Sequence, residues 1–211
     1  NSVLAIKTGV TMGVPGVHGM AARFDGTAGY MCTDATGPDG TCDQDTDFDV
    51  TTISYSYEMW FRTRLTSVTG TDTLLDRSGN ATVVGYNLTI NSSGQLVAVQ
   101  RDGTITDTLT STQSFADAQW HHVVVANNDA NTLFCMFVDG RLAVACDTST
   151  TTVTLAGATA MAIGSKCTGT VASCSTQQDF FDGDIDDVYF QMGGATTSDQ
   201  LTQAQVQRKY L

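Results

Sequence analysis

Apolar and polar positions alternate with a period of two along most of the chain, and clusters of Gly, Asn, Asp, Ser and Thr interrupt the alternation. Successive strand side chains point to opposite faces, so this pattern predicts an all-β protein. Strands are expected at Ala22–Phe24, Ser54–Arg62, Thr73–Asp76, Tyr86–Ile90, Gln95–Arg101, His121–Asn127, Thr132–Val138, Leu142–Cys146, Met161–Gly164 and Ile185–Gln191. In the second of these, Tyr57, Met59 and Phe61 share one face, while Glu58, Trp60 and Arg62 share the other. Large side chains on both faces predict a strand covered from two sides, as at the centre of a sheet. Asp139-Gly140 lies between two apolar runs, and only residues tolerant of positive φ close so tight a hairpin. The period turns helical only at the end, where Leu201, Ala204, Gln205 and Arg208 follow a cap at Thr197 or Ser198, which predicts one short C-terminal helix.

No repeat or linker divides the 211 residues, and proline occurs only at Pro15 and Pro38. The expected organisation is one domain over 20–211 behind an N-terminal arm, 1–19. The arm is apolar and punctuated by glycine. It supplies either an edge strand of its own domain or an apolar surface for self-association, since an unpaired strand invites pairing from another chain. The chain opens at Asn1 rather than Met, as a mature product or an excerpt does.

Charge narrows the partners. Ten basic residues stand against 22 acidic ones, a formal net charge of -12, and no positive stripe is present to hold a polyphosphate, so nucleic acid is excluded as a partner. No apolar run reaches the roughly 20 residues that cross a bilayer, which excludes membrane insertion by a helix. Six cysteines fall in close pairs, Cys32 with Cys42, Cys135 with Cys146 and Cys167 with Cys174, none at zinc-knuckle or Cys-x-x-Cys spacing. Among the 15 connectivities open to six cysteines, sequential pairing is favoured because Cys135 and Cys146 flank the Asp139-Gly140 turn. Three disulfides imply an oxidising, secreted or extracellular location.

Several motifs occur in a particular order: Ala22-Arg-Phe24-Asp25-Gly26 with Tyr30, Tyr57-Glu-Met-Trp60-Phe61, Trp120-His121-His122-Val, and Phe137-Val-Asp139-Gly140-Arg. Ile163-Gly164, Gly183-Asp-Ile-Asp-Asp-Val188 and Leu201-Thr-x-x-Gln205-Val follow. In that order, from Met20 to Tyr210, the chain resembles the laminin-G-like, concanavalin A-like lectin/glucanase superfamily. The resemblance implies a jelly roll, a β-sandwich of two packed antiparallel sheets. It leaves the task open, because such sandwiches serve as lectins, adhesion modules, structural subunits and hydrolases.

The acidic run Asp179, Asp182, Asp184, Asp186 and Asp187 is the sharpest site candidate. Like charges this crowded need solvent, a partner or a bridging cation, and calcium accepts 6 to 8 oxygen ligands. Ile185 and Val188 sit at odd spacing for two core residues, which predicts a β-bulge near Asp186-Asp187. The resemblance implies a structural calcium that ties the penultimate strand to the N-terminal region, here through Asp25, Asp184, Asp186 and Asp187.

The alternation of Asp182, Asp184 and Asp186 is also similar to the carboxylate motif of sandwich-fold glucanases, where a retaining pair stands about 5–5.5 Å apart. That motif has Glu at its outer positions, and Gly183 weakens the strand, so a non-catalytic module is favoured. A second acidic loop, Asp34 to Asp49, is read as a solvated loop stapled by Cys32 and Cys42; its Asp43-Gln-Asp45-Thr-Asp47 spacing lacks the glycine and glutamate of an EF-hand. His121 and His122 point to opposite faces and are read as packing residues. Tyr30, Tyr55 and Tyr86 are candidate sugar platforms or core residues. Asn80, Asn87 and Asn91 head glycosylation sequons. Together these features favour an extracellular, non-catalytic module that binds carbohydrate or a protein, with calcium as its cofactor. The alternatives are a structural subunit of a virion, filament or cell-surface assembly, and a glycan hydrolase.

Overall fold

The computed structural model describes residues 3–37, 39–51, 54–64, 66–78, 84–128, 132–148, 154–155, 160–168, 174 and 176–193. Two seven-stranded antiparallel sheets pack face to face. The first runs, in spatial order, β1 (Val3–Ile6), β4 (Met31–Asp34), β15 (Ala162–Ile163), β7 (Asp72–Asp76), β8 (Gly85–Ile90), β9 (Gln95–Arg101) and β10 (Thr106–Ser114). The second runs β13 (Arg141–Leu142), β12 (Leu133–Val138), β11 (His121–Asn128), β6 (Tyr55–Thr63), β18 (Asp182–Met192), β3 (Met20–Asp25) and β2 (Val10–Pro15). Two short ribbons, β14 (Thr154–Leu155) with β5 (Val50–Thr51) and β16 (Lys166–Cys167) with β17 (Gln177–Gln178), complete the described strands. This is the jelly-roll sandwich that the motif order implies.

The central position of β6 explains its double-sided burial. Tyr57, Met59 and Phe61 enter the core, and Glu58 and Trp60 on the opposite face are also buried, at 9% and 8% exposure. Inside, Tyr55, Tyr57, Tyr86 and Phe190 form an aromatic cluster with centroids 5.5–6.5 Å apart. Each buried phenol needs a partner for its hydroxyl; Tyr55 donates to Gln100 Oε1 at 2.9 Å and Tyr57 to the Asn87 carbonyl at 3.1 Å. Tyr55 and Tyr86 are therefore core residues and not sugar platforms, while Tyr30 packs at a tilt on Phe180.

The N-terminal arm pairs within its own chain and serves both sheets. Its β1 lies against β4 and its β2 against β3, so each sheet acquires an outer strand on that side. All three sequential disulfides are present, Cys32–Cys42, Cys135–Cys146 and Cys167–Cys174. Asp139 and Gly140 have φ of 50° and 72°, the paired positive values that the hairpin signal requires.

Two expectations change. The strand expected at Leu142–Cys146 shrinks to Arg141–Leu142, because the chain turns away to bring Cys146 within 4.4 Å of Cys135 between α-carbons. Strands β4 and β10 went unpredicted: β4 is four residues long and buried throughout, and in β10 the inward positions are Asp107, Leu109 and Ser111, so that two polar residues of three hide the alternation. The predicted C-terminal helix and Asn80 lie outside the described residues. Among the described residues, no helix is long and apolar enough to cross a membrane.

Candidate functional site

The outward face of the second sheet assembles its polar side chains in rows, because register places residues of neighbouring strands side by side. One row is Arg23, Asp184 and Arg62, and the next is Asp186, Trp60 and His122. In the first row Asp184 is fully buried. Its Oδ1 accepts from Arg23 Nε at 2.7 Å, and its Oδ2 accepts from Arg62 Nη2 at 2.5 Å. Burial alone would push the carboxyl up, but the hydrogen bonds from Arg23 and Arg62 outweigh it and hold Asp184 below the usual carboxylate range. Arg62 in turn lies 4.9 Å over the Trp120 ring.

The second row is covered by the turn between β2 and β3. The expected bulge is present: register slips between Asp186 and Tyr189, and Asp187 takes φ of 48°. Re-aimed by the bulge, Asp186 Oδ2 accepts from the backbone N–H of Val17 at 2.9 Å and of His18 at 3.1 Å. Asp187 Oδ2 stands 2.7 Å from His18 Nδ1. These contacts hold the His18 ring edge-on to Trp60 at 5.8 Å, while His122 lies against Trp60 at 5.1 Å. His18, Glu58, Trp60, His122 and Asp187 enclose a recess of about 200 Å³. It combines an aromatic surface, two imidazoles and two carboxylates. That inventory of donors and acceptors suits hydroxyl groups better than it suits an anion.

The four carboxylates expected to share calcium go to separate tasks. Asp25 Oδ1 accepts from the backbone N–H of Thr27, Ala28 and Gly29 at 2.8–2.9 Å, and these bonds, chiefly that from Ala28, lower its carboxyl to about 2. Asp184 is held between two arginines, and Asp186 and Asp187 clamp the β2–β3 turn. Among the described residues, the three acidic groups whose oxygens converge are Asp34, Asp39 and Asp43. The EF-like spacing at Asp43, Asp45 and Asp47 has a local explanation instead. Asp45 caps a one-turn 3₁₀ helix, Thr46–Phe48, through Asp47 N–H, and its carbonyl accepts from the buried Arg77.

The two adjacent histidines separate as expected. His121 packs on Phe61 and Phe115 and contacts Asp139 at 2.8 Å and Asp117 at 3.0 Å. Burial opposes its charging, yet those two carboxylates raise its pKa. His18 was not a sequence candidate, and nothing in the local sequence around it points to Trp60.

A family model described as the concanavalin A-like lectin/glucanases superfamily matches residues 25–202. No curated protein matches the chain. Among solved structures, the binding domain of botulinum neurotoxin serotype D aligns with a TM-score of 0.66 at 12% identity, over 100% of this chain and 46% of that one. The binding domain of botulinum neurotoxin DC in complex with SialylT gives 0.65 at 13%, with the same coverage. A structure of botulinum neurotoxin type C, whose cell entry depends on interaction with two ganglioside molecules, gives 0.66 at 14%, again over 100% and 46%. The chain thus spans less than half the length of these structures, and at such identities the likeness shows the fold. The family match covers most of the chain and agrees with the two packed sheets: the protein belongs to the concanavalin A-like lectin/glucanase superfamily.

Proposed function

We propose that this protein is a non-catalytic, extracellular binding module that takes a neutral carbohydrate on the outward face of its second sheet. The observation that carries the reading is the recess over Trp60, walled by His18, Glu58, His122 and Asp187. At about 200 Å³ it is smaller than the roughly 300–1,000 Å³ of sites for drug-sized ligands, and a single terminal sugar ring is the matching size. Two acidic walls and a net charge of -12 disfavour anionic sugars. Similar folds support a binding role and not the choice of a neutral sugar, since their ligands include SialylT, gangliosides and, in one case, rat synaptotagmin II. Three disulfides fit an oxidising location.

Hydrolysis is disfavoured by the state of the alternating carboxylates. A glycosidase needs one carboxyl that keeps its proton as a general acid. Asp184 is instead held ionised between Arg23 and Arg62, and Asp186 Oδ2 is taken up by the backbone N–H groups of Val17 and His18.

The test is a glycan array probed with the oxidised protein, followed by titration of any hit with Glu58→Gln and His18→Ala. Binding to neutral glycans that weakens at least about tenfold in both variants, a loss of about 1.4 kcal/mol, supports the reading. A blank array from folded protein, or hits indifferent to both substitutions, sinks it.

A structural-subunit reading has its own observation. Leu4, Ile6, Met12 and Met20, in strands β1 to β3 near one side of the sandwich, are 44–71% exposed. An assembly in native light scattering that is lost when the first 13 residues are deleted would favour that reading over glycan binding.

A further inference from the structure

The loop closed by Cys32–Cys42 continues from β4 and carries Asp34 and Asp39, and Asp43 follows directly after Cys42. One oxygen from each lies within 4.8 Å of the other two. Asp39 is exposed and Asp43 half-buried, and both receive donors of the loop: Asp39 Oδ1 accepts from Thr41 N–H at 2.7 Å, and Asp43 Oδ2 from Thr36 Oγ1 at 2.5 Å. Asp34 is different. It is 2% exposed, its Oδ2 accepts from Gly40 N–H at 3.0 Å, and its Oδ1 is shut off from solvent with no hydrogen-bond donor. A buried carboxylate oxygen without a donor is unfavourable, and two more carboxylates beside it add repulsion. The neighbouring ammonium of Lys7 favours the charged form of Asp39, but its hydrogen bond goes to the Gly40 carbonyl and Asp34 Oδ1 is left without a donor.

We propose that the Cys32–Cys42 loop binds a calcium ion through Asp34, Asp39 and Asp43. Calcium suits the spacing and the exposure of these ligands. Calcium–oxygen bonds of 2.3–2.6 Å let two ligands of one ion stand up to about 4.6–5.2 Å apart, whereas magnesium at 2.0–2.1 Å allows only about 4.0–4.2 Å. The three oxygens lie within 4.8 Å of one another, inside the span that calcium accepts without rearrangement, and calcium, unlike magnesium, sheds its water readily for an all-protein shell. Asp34 supplies the buried anchor. Asp39, exposed, and Asp43, half-buried, leave a path for entry and room for water to complete the shell. The disulfide fixes both ends of the loop, which reduces the ordering that binding requires.

The test is calorimetric titration of the oxidised full chain with calcium chloride, and separately with magnesium chloride. One calcium per chain is expected, with Kd in the range of about 10⁻⁴–10⁻³ M that extracellular calcium modules show, and magnesium at least about tenfold weaker. Asp39→Asn and Asp43→Asn should each weaken calcium at least about tenfold, since charge count sets affinity at such sites. Because Asp39 is exposed, its variant is expected to fold, and an unchanged circular-dichroism spectrum verifies this. Absence of calcium heat, magnesium binding as tight as calcium, or unchanged affinity in both folded variants would each overturn the assignment.

Discussion

Asp76 makes this protein less stable as pH rises through the mildly acidic range. The residue ends β7 with no exposure. Its Oδ1 accepts from Ser78 Oγ at 2.5 Å, and its Oδ2 accepts from Cys167 N–H at 3.1 Å. Burial pushes its carboxyl up from 3.8 to about 6, although the bonds from Ser78 and Cys167 and the charge of Lys166 pull the other way. Between those two values the native state holds a proton that the unfolded chain has released. Stability is then fully present below the unfolded value and declines as pH rises towards 6, remaining lower above it. A shift of about 2 units at 1.36 kcal/mol each gives a swing of about 3 kcal/mol.

The perturbation is Asp76→Asn, which has nearly the same shape and cannot ionise. Its amide nitrogen would face Cys167 N–H, a mismatch equal at every pH, which therefore drops out of the slope. Asp72, also pushed up to about 6, titrates in both proteins and cancels as well. Urea unfolding with disulfides intact, from about pH 4 to about pH 7.5, should show the stability of the wild type relative to the variant falling by about 2 kcal/mol, the rest of the swing lying below pH 4. Parallel stability curves would refute the reasoning.

Two further changes probe the sandwich. Asp184→Ala leaves Arg23 and Arg62 facing each other without their shared carboxylate, but both arginines reach solvent, at 40% and 32% exposure; a loss of about 1–3 kcal/mol in urea unfolding is expected, and a loss under about 0.5 kcal/mol would show the row to be expendable. Gly164 has φ of 82°, and a Cβ there would meet Phe24 Cδ1 at 2.3 Å. Gly164→Ala should therefore lower stability by about 1–3 kcal/mol through strain and overpacking, and an unshifted thermal midpoint would count against that packing.

The sandwich was readable where inward positions are apolar and evenly spaced, as in Gln95–Arg101, whose expected bounds match β9. It was unreadable where polar groups point inward. Asp107 in β10 accepts from Gln100 Nε2 at 2.8 Å, a partner supplied by the neighbouring strand and invisible in a local window. The arm was ambiguous for a related reason. Its two strands split between sheets, so neither shows a run long enough to establish a period.

The site was half readable. The Glu58, Trp60 and Arg62 face follows from alternation alone, but what stands over it depends on contacts between residues more than 160 positions apart. The acidic run suggested a metal or a catalytic pair because crowded aspartates usually require one. Here Asp184 pairs with two arginines, Asp186 accepts backbone N–H groups and Asp187 contacts His18. The bulge makes this division possible. Without an extra residue after Asp186, strict alternation would send Asp187 to the inner face, where an ionised carboxylate has no place. With it, Asp186 and Asp187 both reach the β2–β3 turn and set His18 against Trp60. The acidic motif thus shapes the proposed ligand recess by positioning its wall. Asp187, whose Oδ2 holds His18, is also one of the side chains lining that recess.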